Sequence, residues 1–132
     1  MKKILFIITC FLMAAGAGAQ TQKTIQEINV DGLKVYFRPS AKNIVSARLF
    51  VLGGTSNYSL DQQGIESLAF TTAMNGGTVS KSKTQFNTEA EKIGTSFGSS
   101  ASLDYSEMNM TCLKSAWDQS WNMFADAIMN PR

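Results

Sequence analysis

The sequence predicts an α+β fold, and three observations carry that prediction. The predicted elements run in the order of three strands, two helices, two strands and one helix, without the regular alternation of parallel α/β folds. Every second residue between positions 44 and 52 is apolar, which is typical of a half-buried strand. An aromatic stripe that begins at Trp117 has the i, i+4, i+7 spacing of a helix with one apolar face.

Strands are predicted over five runs: residues 25–30, 33–37, 44–52, 95–103 and 106–113. Asp31-Gly32 separates the first two runs, and an Asp-Gly pair there indicates a β-hairpin because glycine adopts positive φ without steric cost. One face of the third run is apolar: Val45, Ala47, Leu49 and Val51. Met108, Met110 and Cys112 share a face of the last run, and we expect Cys112 to be buried as a small apolar residue.

The first predicted helix lies between the third and fourth strands. It is expected to begin at Asp61 or Gln63 and to end at Asn75, before two glycines. Four residues at helical spacing are expected to face the core: Ile65, Leu68, Ala69 and Thr72. Glu66 lies beside this stripe and is expected at the surface, where most glutamates are found.

Two further helices are predicted. One spans residues 84–93 and turns one apolar side to the core: Phe86, Ala90 and Ile93. The other begins at Ser115, with Asp118 three residues later as in a capping box, and ends at Asn130-Pro131. Its stripe is expected to be part of the core: Trp117, Trp121, Phe124, Ala125 and Ile128.

Residues 1–19 have the pattern of a secretory signal peptide. Lys2 and Lys3 precede an apolar run over residues 4–15, which is shorter than the roughly 20 residues of a membrane-spanning helix. A small-x-small cleavage site ends at Ala19, so the mature chain is expected to span residues 20–132. We therefore expect a protein exported to the periplasm or cell envelope of a bacterium, with no stable membrane span after cleavage.

The charge pattern and the absence of histidine limit the available chemistry. Two of the 12 basic residues lie in the predicted signal peptide, which leaves 10 against 10 acidic residues and no patch for nucleic acid. The chain contains no histidine, so it cannot build a Ser-His-Asp triad, a Cys-His pair or a His-ligated metal site alone. Two carboxylate pairs remain, Asp61 with Glu66 and Glu89 with Glu91. The second pair is expected to face solvent, since residues two apart on a helix do not face each other.

Several pieces of residues 30–132 resemble the pitrilysin/insulinase-type (M16) metallopeptidases, and they occur in the family's order. The pieces are Asp31-Gly32-Leu33-Lys34-Val35, Gly53-Gly54-Thr55, Gly64 before a helix, Gly76-Gly77-Thr78 after it, Glu91-Lys92-Ile93-Gly94, and Ala125, Asp126 and Asn130-Pro131 in the last helix. The resemblance implies a mostly antiparallel sheet with helices packed on one face. It also implies that residues 20–132 are the N-terminal portion of a longer M16-like domain, and therefore an incomplete domain.

The helix after Gly64 resembles the family's first zinc helix, whose signature is H-x-x-E-H. At the three corresponding positions this sequence has Ser67, Phe70 and Thr71. The resemblance implies that in active members the histidines bind zinc and the glutamate activates water. Hydroxyls are poor zinc ligands and a phenyl ring cannot act as a base. We therefore predict no catalytic, cofactor-binding or metal-binding residue, and no cofactor.

The leading interpretation is an exported non-catalytic M16 homologue that forms a wall or interface of a peptidase chamber. Its expected partner is an active M16-type subunit or the remaining domains of the same protein, and peptide is a possible substrate of that chamber. Two alternatives stay open: part of an active zinc metallopeptidase whose ligands come from elsewhere, and a small binding module of the cell envelope. Independent folding of residues 20–132 would favour the binding module.

Overall fold

The computed structural model of the protein describes residues 24–132, so the predicted signal peptide lies outside the described residues. The chain divides into two compact units, with the boundary between Ala41 and Lys42. Within residues 24–132, no helix combines the length and the apolar character that crossing a bilayer requires.

The first unit contains an antiparallel hairpin of β1 (Gln26–Val30) and β2 (Leu33–Phe37). Its turn is Asp31-Gly32, and the two residues have φ values of 51° and 91°. Positive φ at both central residues matches the twist of the flanking strands, which is why this turn type favours hairpins. The Gly32 amide also donates to Asn29 Oδ1 at 2.9 Å. The predicted hairpin is confirmed.

The second unit is built on a three-stranded antiparallel sheet. Its strands are β3 (Ile44–Leu52), β4 (Ser96–Ala101) and β5 (Tyr105–Leu113), and their spatial order is β3-β5-β4. Its helices are α1 (Ile65–Asn75), α2 (Lys83–Lys92) and α3 (Trp117–Met129). The helices cover one face of the sheet. As a result, every second residue of the central strand is buried: Ser106, Met108, Met110 and Cys112. The predicted α+β fold, with an antiparallel sheet and helices on one face, is confirmed.

The core of the second unit lies between that sheet face and the helices. Its buried apolar residues are Met74, Phe86, Ala90, Met108, Met110, Cys112, Met123, Phe124 and Ala127. Four of the nine are methionines, whose flexible thioethers fill irregular space between elements. The ring of Phe97 lies 5.1 Å from that of Phe86 and 6.2 Å from that of Phe124, so it joins β4 to α2 and α3. Cys112 is buried, as the sequence predicts.

The face of α1 that meets the core differs from the prediction. Ile65 and Leu68 are 52% and 69% exposed, and Ala69 and Thr72 are exposed as well. The inward residues are instead Glu66, Phe70, Ala73 and Met74. They follow the spacing i, i+4, i+7, i+8, so α1 carries two stripes of helical period. The stripe with the larger apolar side chains is the buried one.

The starts of the helices also differ from the prediction. Residues 60–62 form a separate 3₁₀ turn, and α1 begins after Gly64, whose φ is 90°, rather than at Asp61 or Gln63. The start of α2 is a full capping box, in which the Ser82 amide donates to Gln85 Oε1 at 2.9 Å. The sequence prediction missed this box and placed the start one residue later.

Helix α3 meets the core in part along the predicted stripe, because Phe124 is buried and Trp117 and Ile128 pack against the core, whereas Trp121 does not. Its buried residues are Ser120, Met123, Phe124 and Ala127. Trp121 is 44% exposed and stacks on Trp117, with ring centroids 5.3 Å apart. The predicted Ser115–Asp118 capping box is absent, because residues 114–116 form a 3₁₀ turn that continues directly into the helix.

Candidate functional site

The three motif positions lie in the first two turns of α1. Ser67 and Thr71 are four residues apart, so they share one side of the helix, and both are exposed. Phe70 is half-buried and packs against the core. The structure therefore places two hydroxyls at the surface and a half-buried phenyl ring against the core.

Thr71 connects α1 to β4, which is an edge strand of the sheet. Its Oγ1 lies 3.3 Å from Ser99 Oγ, within hydrogen-bond distance. Its carbonyl oxygen accepts from Asn75 Nδ2 at 3.1 Å, in the last turn of the helix. The polar groups of Thr71 are therefore engaged in local structure.

The residues at these positions do not fit a catalytic zinc ion. Zinc in proteins is held by thiolate, imidazole or carboxylate groups. Within the part of the chain that the structure describes, no three or more side chains of these types come together. The carboxylate nearest in sequence, Glu66, points to the core side of α1 rather than to the side of Ser67 and Thr71.

Glu66 is the residue that sequence reasoning placed wrongly. It was expected at the surface but is 8% exposed. Its Oε2 is enclosed and has no hydrogen-bond partner among the described residues, and the same holds for Ser106 Oγ on the helix-facing side of β5. An enclosed polar group without a partner costs about 1–3 kcal/mol. The signal that could have located Glu66 is its spacing from Phe70 and Met74, which continues the buried stripe.

The sequence left two carboxylate pairs open, and the structure gives Asp61 and Glu89 other partners. Asp61 accepts from the Ser59 hydroxyl, which holds the pKa of the Asp61 carboxyl below its ordinary value. Glu89 instead binds Lys81, with Nζ 2.6 Å from Oε2, and accepts from Gln119 Nε2 at 2.8 Å. Hydrogen bonding by Lys81, followed by that of Gln119, lowers the pKa of Glu89. Neither pair is an acid–base couple.

A second polar cluster fixes the loop after α1 to α3. Ser80 Oγ donates to Asp126 Oδ2 at 2.7 Å, and Asn130 Nδ2 donates to Oδ1 of the same carboxylate at 2.9 Å. Hydrogen bonding from Thr78, Ser80 and Asn130, in that order, lowers the pKa of Asp126. The Ser80 bond joins the loop to α3 and the Asn130 bond lies within the last turn of α3, so the cluster has a structural role.

The fold just described resembles solved peptidase structures, although no protein-family model and no curated protein matches the sequence. A protease from Helicobacter pylori has a TM-score of 0.72 at 16% identity, over 83% of this chain and 27% of its own. A peptidase M16 inactive domain from Pseudomonas fluorescens has a TM-score of 0.69 at 21% identity, over 81% of this chain and 26% of its own. The chain thus spans about a quarter of each. At these identities the likeness establishes the fold, which is M16-like.

Proposed function

We propose that this chain is an exported, non-catalytic homologue of the M16 peptidases. Its role is to form a wall or an interface of a peptidase chamber, against an active M16-type subunit or the remaining domains of the same protein. The observation that supports this most is the chemistry of α1, where Ser67, Phe70 and Thr71 occupy the motif positions. The M16-like fold supplies the scaffold, and one solved structure similar to it is described as an inactive domain.

The side chains at the three motif positions of α1 lack the groups that peptide hydrolysis by a metallopeptidase needs. Such hydrolysis requires a Lewis acid to polarise the carbonyl group and a base to activate water. Neutral hydroxyls hold zinc poorly, and Phe70 packs against the core and has no titratable group. A contribution through shape and binding is therefore the role that this chemistry favours.

Exposed apolar side chains indicate that the protein binds another polypeptide rather than acting alone. Leu52 and Leu60 are each 86% exposed, and Leu68 is 69% exposed. Clusters of exposed apolar residues mark interaction surfaces in soluble proteins. A wall or interface subunit requires such a surface.

Metal content and hydrolysis of the exported chain test the proposal. We expect no stoichiometric zinc by elemental analysis and no cleavage of a mixed peptide library. The triple variant Ser67→His, Phe70→Glu, Thr71→His tests the motif, with Ser67→Ala, Phe70→Leu, Thr71→Ala as the matched control. We expect the first variant to gain at most weak zinc binding without peptidase activity. One tightly held zinc ion in the wild-type chain, or hydrolysis by it, would overturn the proposal.

A further inference from the structure

We propose that two copies of this chain pair through their β3 strands, so that their two sheets join into one antiparallel sheet. Among residues 24–132, β3 has β5 as its one sheet neighbour, and the other side of the strand, here called the open edge of β3, has no strand beside it. The inference goes beyond the proposed function, because it concerns contact between two copies of this chain rather than contact with an active subunit.

The peptide groups of the even-numbered residues of β3 point to the open edge. The Asn43 carbonyl accepts from the Lys114 amide at 3.0 Å, in the register of the β3–β5 ladder. At the other end of the strand, the Gly53 amide donates to the Asp104 carbonyl at 3.0 Å in the same register. Hydrogen-bonded pairs alternate along an antiparallel ladder, so the odd-numbered residues direct their peptide groups to β5. The residues whose peptide groups point to the open edge are Ile44, Ser46, Arg48, Phe50 and Leu52.

The open edge of β3 lacks the features that keep sheet edges from pairing. Such features include short strands, prolines, bulges and charged side chains. β3 has nine residues, contains no proline and pairs with β5 without a bulge from Ile44 to Leu52. The charge of its arginine, Arg48, is bound by Glu107, with Nη1 3.0 Å from each carboxylate oxygen. The edge is therefore long, regular and compensated in charge, as pairing with another strand requires.

The core is less well covered along β3 than along β5. Val45, Ala47 and Leu49 pack against the core but are only half-buried, and Val51 on the same side of the strand is 38% exposed. The residues of β5 that pair with the first three are at most 5% exposed: Met108, Met110 and Cys112. A strand that fills the open edge should therefore carry apolar side chains at alternate positions, on the side of the helices.

The β3 strand of a second copy meets both requirements. A twofold axis at the open edge places even-numbered residues opposite even-numbered residues, so the peptide groups that point to the edge face one another. The odd-numbered apolar residues of both strands then lie together on the side of the helices. The helices of both copies cover the same face of the joined sheet. Such a closed pair with twofold symmetry is the commonest form of soluble oligomer.

The edge of β4 suits β3 less well. The Ser102 amide donates to the Tyr105 carbonyl at 2.9 Å, in the register of the β4–β5 ladder, so the even-numbered residues of β4 bond to β5. The odd-numbered residues, such as Phe97, point to the β4 edge and carry side chains on the side of the helices. Antiparallel pairing of β3 with β4 of another copy would therefore place the two sets of helices on opposite faces. Parallel pairing would keep the faces but would repeat without closing.

Charge and side-chain size select the register of the paired strands. A pair centred on Arg48 would set two arginines directly opposite each other, and like charges there are destabilising. A pair centred on Leu49 instead sets Arg48 opposite Phe50 of the second copy, and a cation over an aromatic ring is favourable. The two Leu49 residues then form a non-hydrogen-bonded pair with Cα atoms about 4.5 Å apart. This ladder joins residues 46–52 of each copy through about eight backbone hydrogen bonds.

Cysteine cross-linking of the mature exported chain tests the register. Leu49→Cys should form a disulfide between two copies under a mild oxidant such as diamide, because the expected Cα distance suits that bond. Ala47→Cys is the matched control on the same side of β3, and its equivalent in the second copy would lie more than about 13 Å away. The buried Cys112 is common to both variants. We expect at least about tenfold more cross-linked dimer for Leu49→Cys, measured on non-reducing gels.

A proline at the open edge tests the backbone pairing. Ser46→Pro removes an amide that points to the open edge rather than to β5. Ser46→Ala is the control, because it loses the same hydroxyl contact with Thr111, 3.1 Å in the structure, but keeps the amide. In sedimentation equilibrium, wild type and Ser46→Ala should form dimers. Ser46→Pro should raise the dissociation constant of the dimer at least about tenfold.

Amide hydrogen exchange distinguishes the two sides of β3. The amides of Ser46, Arg48 and Phe50 should exchange more slowly as protein concentration rises, because dimer formation bonds them. The amides of Ala47 and Leu49 bond to β5 and should be protected at every concentration.

Four results would overturn the pairing proposal. These are a monomer at every concentration in sedimentation, equal cross-linking of the two cysteine variants, a series of larger assemblies in place of a dimer, and protection of the Ser46 amide that does not depend on concentration. The last would show that another segment of the same chain fills the open edge. Failure of the proposed function is distinguishable, because zinc or hydrolysis in the wild-type chain would leave the dimer and its cross-link intact.

Discussion

Thr71 Oγ1 lies 3.3 Å from Ser99 Oγ, and this contact joins the second turn of α1 to the edge strand β4. The threonine hydroxyl is thereby directed to a neighbouring strand, while Phe70 beside it packs against the core. Two adjacent motif positions thus contribute to packing between α1 and the sheet. Stability, more than chemistry, is what substitutions at these positions should change.

Replacing Phe70 by glutamate should destabilise the fold. The change removes an aromatic ring that packs against the core and places a carboxylate there, and we expect a loss of about 3 kcal/mol in the free energy of unfolding. Leu68→Glu is the matched control on the same helix, because Leu68 is 69% exposed, and it should stay within about 0.5 kcal/mol of wild type. Urea unfolding followed by circular dichroism measures both. Equal effects would place Phe70 outside the core.

The two aromatic residues of α3 should differ in their contribution to stability. Phe124 is 2% exposed, so Phe124→Ala should lower the free energy of unfolding by about 3–5 kcal/mol. Trp121 is 44% exposed, and Trp121→Ala should cost less than half as much. Denaturant titrations of the two variants show which one loses more of the free energy of unfolding. A larger loss for Trp121→Ala would mean that Trp121, rather than Phe124, is the aromatic side chain that the core encloses.

Asp126 should make stability depend on pH. Its pKa is lower than the ordinary 3.8 because Thr78, Ser80 and Asn130 hydrogen-bond the carboxylate. A carboxyl with a lowered pKa in the folded chain stabilises the fold above pH 3.8 and loses that contribution as pH falls through the folded value. The difference in Tm between wild type and Asp126→Asn should therefore be largest near neutral pH and shrink in acid.

The control for Asp126 is Asp118→Asn, an exposed position of the same helix. Its Tm should follow that of wild type across the pH range. If the Tm difference for Asp126→Asn grew as pH fell, the assigned hydrogen bonds would not be those that stabilise the charged form.

Gly54 should tolerate no side chain. Its φ is 58°, and a Cβ there would lie 2.3 Å from the Leu103 carbonyl oxygen. Gly64 also has positive φ, 90°, but a Cβ there meets nothing within 4 Å. Gly64→Ala should cost about 1–2 kcal/mol from backbone strain alone, whereas Gly54→Ala should prevent cooperative folding. Thermal melts of the pair test this, and equal melting temperatures would contradict the close approach of the β4–β5 turn.

Export should leave a mature chain that begins at Gln20. Ala17 and Ala19 fit the small positions of a signal-peptidase site, so cleavage is expected after Ala19. N-terminal sequencing or intact mass of material from the cell envelope measures the start. A lipid on Cys10 as the first residue would contradict this and would indicate a membrane-anchored protein.

The positions of the strands and helices could be predicted from sequence better than the side of each helix that meets the core. The alternation in residues 44–52 and the Asp31-Gly32 turn identified β3 and the hairpin, because a period of two and a turn residue are local signals. The predicted core-facing side of α1 was wrong, because two stripes of mostly apolar residues on this helix both have helical period. Only the tertiary packing of Phe70 and Met74 decides between them.

The assignment of Ser67, Phe70 and Thr71 to the motif positions comes from the resemblance and stays a prediction. Their surroundings could not be predicted from sequence, because the Thr71–Ser99 contact joins residues that are remote in the chain. The burial of Glu66 was missed for a related reason. Glutamate is rarely enclosed, so composition pointed to the surface, and the sheet that encloses it is formed by residues far along the chain.

The central position of β5 has a consequence for the order of events during synthesis. Val45 of β3 pairs with Cys112 of β5, and α1, α2 and β4 all lie between them in the chain. Neither β3 nor β4 has its sheet neighbour until the ribosome has released residues 105–113, whereas the β1–β2 hairpin closes locally. Contacts this distant in sequence slow folding. The nascent chain must therefore keep the apolar face of β3 from aggregating until β5 has been synthesised, which makes this segment the expected client of a chaperone.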